Sequence, residues 1–182
     1  MIKKVLLGLV ALVVLAVVVV CGIASTKPDT VHYERSMEMK ADPQVIFDKV
    51  QTFKEWKHWS PWANLDPAMT LTLSGPEQGV GAVYEWKGNR DVGQGRMEIL
   101  EADAPKKLRI KLDFIEPFEG HNEAHFTFTP NGDMTKVTWE MIGPNPFLSK
   151  IFATLIDMDA MLGAQFETGL TNLKGLVETG GA

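Results

Sequence analysis

Two charged side chains at apolar positions are the residues best suited to site chemistry. Arg35 lies in segment 31–40, where apolar and polar residues alternate, and it occupies an apolar position. Asp159 lies between Leu155 and Leu162, within an apolar helical stripe. Because buried charges are rare unless paired, we expect Arg35 and Asp159 to pair or to hold the polar head of an apolar ligand. The alternative is that the strand register differs by one residue, which would turn Arg35 outward, or that Arg35 reaches solvent at the rim of the sheet.

Other chemistry-bearing patterns are weak. His121 and His125 fall in a predicted strand, where four residues separate them by ~13 Å, and there is no HExxH motif, so no metal site is predicted. The one cysteine, Cys21, lies in an apolar N-terminal segment, which leaves the domain without thiol chemistry. The glycines of segment 79–81 precede a strand instead of a helix, so they predict no phosphate loop. No cofactor and no catalytic residue set are predicted.

The N-terminal sequence is typical of a membrane-spanning segment. Residues 5–24 carry no charge and are about as long as the ~20 residues that a spanning helix needs, whereas secretory signals have shorter apolar cores. Lys3 and Lys4 precede this run and predict that the following domain is extracytoplasmic. We expect residues 1–25 to be a single-pass anchor in the cell membrane. Cleavage after the small-residue triplet 22–24, giving a secreted or periplasmic protein, stays open as the alternative.

The charge balance argues against two kinds of partner. The net charge is −5 and no basic cluster is present, which argues against nucleic acid and against docking on anionic lipid by charge alone. The sequence does not indicate an oligomeric state.

A segregated order of elements predicts an α+β fold. Alternating segments from residue 31 onward predict about seven strands, interrupted by a helix that Asp42 caps and Pro43 begins. Residues 145–178 are predicted to form one continuous helix ~50 Å long, with Asn145 as its N-cap. Runs of strands with segregated helices favour α+β over α/β. The apolar stripe of the long helix comprises Leu148, Ile151, Phe152, Leu155, Leu162, Phe166, Leu170, Leu173 and Val177.

Bulky and polarizable side chains recur on the apolar strand faces. Such a face suits a pocket for a flexible apolar ligand, although any one of these residues alone is typical of plain core. The predicted ligand contacts are Arg35, Trp59, Tyr84, Trp86, Met97, Phe114, Phe126, Trp139, Asp159 and Leu162.

Three stretches resemble a known superfamily. They are the tryptophan motif Trp56, Trp59, Ser60, Pro61 and Trp62, the glycine-rich segment 79–97, and the ending Gly169, Leu170, Asn172, Leu173 and Lys174. Together they resemble the SRPBCC superfamily, and more narrowly its membrane-anchored polyketide cyclase/dehydrase type. The resemblance implies the helix-grip fold of START-like domains, in which a curved antiparallel sheet surrounds a long C-terminal helix and leaves a hydrophobic cavity.

The expected organisation is an anchor or signal at 1–25, a linker at 26–30, a helix-grip domain at 31–178 and a tail at 179–182. The predicted function is membrane-tethered binding of a hydrophobic small molecule or lipid between the sheet and the C-terminal helix. Two alternatives stay open. One is a cyclase or dehydratase that uses Arg35, Asp159 and Tyr84 as acid–base groups, and the other is an interaction module with a filled core.

Overall fold

A computed structural model gives the fold of residues 2–63 and 65–179, which are the residues described below. Its helices are α1 (Ile2–Ser25), α2 (Pro43–Gln51), α3 (Phe147–Leu155) and α4 (Met158–Thr179), with a short 3-10 helix at Phe53–His58. Its strands are β1 (Thr30–Met39), β2 (Thr70–Ser74), β3 (Val83–Lys87), β4 (Gln94–Asp103), β5 (Lys107–Glu116), β6 (Gly120–Asn131) and β7 (Met134–Pro144).

The strands form one antiparallel sheet in the order β1-β7-β6-β5-β4-β3-β2. The predicted α+β helix-grip architecture, with a sheet of about seven strands, is therefore confirmed. Register shifts in β4 at Gln94/Gly95 and Ile99/Glu101 bend the sheet, as the glycines of this strand predicted. Gly95 is required for packing, because a Cβ there would collide with the Trp86 ring.

Helix α2 begins as its sequence predicts. The Asp42 side chain accepts a hydrogen bond from the Gln44 backbone N–H at 2.8 Å, and Pro43 occupies the first turn. Ile46, Phe47 and Val50 of α2 are fully buried. The helix thus packs its apolar side into the core, against β6 and α4.

The prediction of one continuous C-terminal helix is wrong. Ile156 has extended backbone angles (φ −129°, ψ 136°) and ends α3. Asp157 then caps a new helix, since its side chain accepts from the Ala160 N–H at 3.0 Å. Asn145 is not an N-cap either. Its backbone N–H donates to the Asp29 carbonyl at 2.8 Å, and Pro146 takes the N-cap position without a side-chain bond.

The break divides the predicted apolar stripe between two environments. In α4 the stripe is buried against the sheet, through Phe166, Leu170, Leu173 and Val177. In α3, by contrast, Leu148, Phe152 and Leu155 are exposed, and α3 packs against α1. Only the α4 half of the stripe therefore belongs to the core of the domain.

Candidate ligand-binding cavity

A cavity of about 200 Å³ lies between the sheet and the N-terminal half of α4. Strands β3 to β7 supply its walls, and α4 and the tryptophan-rich segment 56–62 cover it. The Trp139 ring stacks on the Phe166 ring with centroids 4.5 Å apart and planes 9° apart, which fixes α4 on the sheet. The lining residues are Trp56, Ser60, Trp62, Met69, Tyr84, Trp86, Asp91, Val92, Met97, Leu112, Phe114, Ala124, Trp139, Met141, Leu162 and Phe166.

A buried polar atom of one lining residue lacks a partner. Trp139 is only 3% exposed, and its indole Nε1 has no hydrogen-bond acceptor among the described residues. The Nε1 atoms of two other lining tryptophans are satisfied, Trp56 by the Val50 carbonyl at 2.8 Å and Trp86 by the Val92 carbonyl at 3.0 Å. A buried unpaired donor is costly, so an acceptor that reached Trp139 Nε1 would stabilise it.

Tyr84 is the one phenol of the lining. Burial raises the pKa of its hydroxyl above the usual value of 10.0, which keeps it protonated near neutral pH. In that state it is a hydrogen-bond donor and a poor base. Ser60 is buried and Asp91 is exposed. The cavity can thus solvate few polar atoms of a ligand.

The structure sorts the predicted contact residues into two groups. Tyr84, Trp86, Met97, Phe114, Trp139 and Leu162 line the cavity. Trp59 and Phe126 do not, because both are packed into the core beside it, with their ring centroids 6.2 Å apart. The other two, Arg35 and Asp159, lie outside the cavity at the edge between β1 and α4.

Arg35 and Asp159 form an ion pair there. The Arg35 Nη2 and Nη1 atoms lie 2.9 and 3.2 Å from the two Asp159 carboxylate oxygens, and Arg35 Nε lies 3.1 Å from Glu167 Oε1. The hydrogen bond from Arg35 holds the pKa of Asp159 below 3.8. Gly163 is part of this arrangement, since a Cβ at that position would collide with the Arg35 guanidinium.

The pair is less buried than the sequence pattern suggests. The Arg35 side chain is 24% exposed and the Asp159 side chain 58% exposed. Arg35 does face α4, as the alternation of β1 predicts. However, Asp159 lies in the first turn of the separate helix α4, beside the break, and there solvent reaches it. The pair thus joins β1 to α4 and leaves both charges outside the cavity.

Several lining residues were not predicted as ligand contacts. Leu112, Met141 and Phe166 lie on apolar faces that the sequence does reveal, but periodicity alone does not separate a lining side chain from a packed one. Trp62 comes from the irregular segment after the 3-10 helix, where no periodicity operates, and Met69 directly precedes β2, at the start of an alternating segment.

The outer face of the sheet carries a group that the sequence did not indicate. His32, Glu34 and Glu140 lie on β1 and β7, and His32 Nε2 is 3.9 Å from a carboxylate oxygen of each glutamate. His32 and Glu34 are exposed. This cluster is separated from the cavity by the thickness of the sheet, so it takes no part in that site.

The sheet, the helix laid across it and the apolar cavity between them define a helix-grip protein of the hydrophobic-ligand-binding type. The chain belongs to the family described as polyketide cyclase / dehydrase and lipid transport, whose model matches residues 30–178. The resemblance inferred from the tryptophan and glycine motifs is thereby confirmed. No curated protein matches the sequence.

Solved structures share the fold at low sequence identity. The Aha1 dimer of Colwellia psychrerythraea matches at a TM-score of 0.60 and 19% identity, covering 84% of this chain and 99% of that one. Protein Ms6760 of Mycobacterium smegmatis matches at a TM-score of 0.57 and 21% identity, covering 84% of this chain and 94% of that one. The di-domain ARO/CYC protein StfQ, of the steffimycin biosynthetic pathway, matches at a TM-score of 0.62 and 11% identity, covering 82% of this chain and 51% of that one. This chain therefore corresponds to about half of StfQ.

Proposed function

We propose that this protein binds a hydrophobic small molecule or a segment of a lipid in the cavity between the sheet and α4. The observation that carries the proposal is a mostly apolar cavity whose wall includes the unpaired Trp139 indole N–H. Burial of apolar ligand surface would supply the affinity, at ~25 cal/mol per Å². The Trp139 N–H and the Tyr84 hydroxyl would orient one polar group of the ligand.

The cavity volume limits the ligand. Apolar cavities of ~150 Å³ accept a molecule the size of benzene, and drug-sized pockets span ~300–1,000 Å³. At about 200 Å³, this cavity fits a single aromatic ring or a short alkyl segment carrying one hydroxyl or carbonyl. A larger ligand would have to leave part of itself outside or displace α4.

The placement of charges supports binding over catalysis. Arg35 and Asp159, two of the acid–base groups expected in an enzyme, are paired outside the cavity. Tyr84 alone remains in the lining, where it is held in its protonated form. The proposal is therefore a binding protein, and the interaction module with a filled core is the competing hypothesis that the experiments below address.

We further propose that α1 tethers the domain to the cell membrane, with the domain on the extracytoplasmic side. Helix α1 has 24 residues and is long and apolar enough to cross a membrane. The lysine pair at its start, Lys3 and Lys4, favours retention of that end in the cytoplasm. An alkaline wash of membranes should leave the full chain in the pellet, and recovery of a soluble form beginning near Ser25 would refute the tether.

The binding proposal is tested on the full chain in lipid nanodiscs. Phenol, indole and short-chain alcohols should displace an environment-sensitive dye from the wild-type protein and should bind a Trp139→Phe variant more weakly. A matched control is Trp62→Phe, which trims another lining indole but leaves the Trp139 N–H in place. If no member of such a panel displaces the dye, the binding proposal is refuted.

A further inference from the structure

Helix α3 has its apolar and charged sides reversed relative to an ordinary surface helix. Phe147, Leu148, Phe152 and Leu155 are 43–65% exposed, whereas the only charged residue of the helix, Lys150, is 7% exposed. A surface helix in water normally does the opposite and turns its apolar stripe inward. The arrangement of α3 is therefore expected where the medium outside the protein is apolar.

The apolar side of α3 continues beyond the helix. The Phe118 ring, at the tip of the loop between β5 and β6, lies 6.1 Å from the Phe152 ring and is 67% exposed. Ile156, directly after α3, is 50% exposed. We call the surface formed by Phe118, Phe147, Leu148, Phe152, Leu155 and Ile156 the docking face. Contiguous exposed apolar surface of this kind marks a site of contact with a partner or a membrane.

The docking face is fixed next to the end of the apolar helix α1. Helices α1 and α3 pack together, and α1 is shielded only near its C-terminus, where Val20 and Cys21 are half-buried and Ala24 is buried. Lys150 Nζ lies 2.5 Å from Asp29 Oδ1, and this pairing lowers the pKa of the Asp29 carboxyl. These contacts hold α3 against the linker that follows α1.

The position of α1 determines what lies outside α3. A helix of 24 residues is ~36 Å long and crosses a hydrocarbon core of ~30 Å with little to spare. Its last turns then lie at the membrane boundary, and so does any helix packed against them. An interfacial helix embeds its apolar side by ~5–10 Å into this boundary.

We propose that the docking face lies in the bilayer that α1 crosses, so that α3 is an interfacial helix and the domain has a second, non-covalent contact with the membrane. Glu119 and Asp157, which flank the face, limit its depth to the headgroup level. Two lining residues of the cavity are connected to this surface along the chain, since Phe114 precedes Phe118 on the strand before its loop and Leu162 follows Ile156 in α4.

Membrane association of the chain does not test this inference, because α1 alone would cause it. The test is the depth of individual residues in the full chain, reconstituted into phosphatidylcholine vesicles. In a Cys21→Ala background, single cysteines at Leu148 and Leu155 would carry an environment-sensitive fluorophore. The matched control is a cysteine at Thr72, an exposed position on β2 at the opposite edge of the sheet from β1.

We expect the labels at Leu148 and Leu155 to emit at shorter wavelength than the Thr72 label and to be quenched several-fold more strongly by lipids brominated near the headgroup. Quenching equal to that of Thr72, with full access to aqueous iodide, would overturn the inference. Energy transfer between labelled copies that persists when the protein is diluted in excess lipid, without lipid quenching, would also overturn it and assign the face to a second copy.

The inference rests on retention of α1, which is part of the proposed function, and the two failures are distinguishable. The mass of the reconstituted chain shows whether residues 1–25 are present. Their loss would refute the tether and the inference together. An intact chain with an unquenched Leu148 label would refute only the docking face.

Discussion

Filling the cavity from the sheet side gives the sharpest stability prediction. Ala124 lies on β6 opposite Ile110 and Met141, is 4% exposed, and contributes its methyl group to the cavity wall. An Ala124→Leu substitution adds three carbons that can enter existing space. At ~0.8 kcal/mol for each buried carbon, the upper limit of the gain is about 2.4 kcal/mol in the free energy of unfolding. Imperfect fit reduces this to ~1–2 kcal/mol.

A matched substitution in packed core should have the opposite sign. Ala82 is 2% exposed and belongs to the same hydrophobic core, but it does not line the cavity. There a leucine would overpack the core, and we expect Ala82→Leu to lower the free energy of unfolding by ~1–3 kcal/mol. The pair of variants thus separates a real cavity from a filled core by the sign of one measured change.

The assay is urea unfolding of the full chain in mild detergent, followed by tryptophan fluorescence. All five tryptophans lie between residues 56 and 139, so the signal reports the domain and not α1. Ala124→Leu should also leave the dye of the displacement assay no room in the cavity, so that no displacement is seen. If Ala124→Leu destabilises the protein as much as Ala82→Leu does, the cavity is filled in solution and the interaction module becomes the better account.

Three further predictions concern the edge of the cavity and the ion pair. Removing the indole donor by Trp139→Phe should weaken a ligand that carries a hydrogen-bond acceptor by about 3- to 10-fold in dye displacement, the value of one ordinary hydrogen bond, and should leave a pure hydrocarbon unaffected. Gly163→Ala should lower Tm by displacing the Arg35 guanidinium, whereas Gly175→Ala, in open space on α4, should stabilise the protein by ~0.5–1 kcal/mol. Because the pKa of Asp159 is lower in the folded state than its unfolded value of 3.8, its stabilising effect is present above that pH and is lost as the pH falls further. In thermal unfolding, an Asp159→Asn variant should therefore have a lower Tm than wild type above that pH. The difference in Tm between the two proteins should disappear in the more acidic range.

Local sequence patterns predicted much of the fold because each rests on short-range chemistry. Alternation revealed the strands, and the Asp42-Pro43 pair located the start of α2. The same alternation placed Arg35 on the side of β1 that faces α4, and pairing with Asp159 was one of the two roles expected for it. The pattern could not predict how exposed the Arg35 and Asp159 side chains are, because their exposure depends on where α4 begins relative to the sheet.

The break between α3 and α4 was missed for a physical reason. Apolar residues continue at helical spacing on both sides of Ile156 and Asp157, so the periodicity passes through the break unchanged. Asp157 suits an N-cap better than a helix interior, but the continuous apolar spacing outweighed that signal, and the structure shows that Asp157 is a cap. Periodicity also reports that a face is apolar without reporting what covers it, which is why Leu148 and Phe166 looked equivalent.

The cavity lining was predictable as a face but not residue by residue. Tyr84, Trp86 and Phe126 all lie on the inner side of the sheet, yet Phe126 is packed and the other two border the cavity. That difference follows from the Trp56 and Trp59 rings, which pack against Phe126 with centroids 6.2 Å away, a long-range contact. The unpaired Trp139 Nε1 had no sequence signal, because a tryptophan's hydrogen-bond partner is set by tertiary contacts.

The central claim is that Trp139 Nε1 donates a hydrogen bond to the polar group of a mostly apolar ligand that lies between α4 and the sheet. The indole N–H resonances of ¹⁵N-labelled protein test this claim most directly. The Trp139→Phe variant assigns the Trp139 signal, and Trp56 and Trp86 serve as internal references because their N–H groups are already bonded to backbone carbonyls. On addition of phenol, we predict a large downfield shift for Trp139 and small shifts for the other two. A Trp139 resonance that stays in place while phenol saturates the protein would contradict the account.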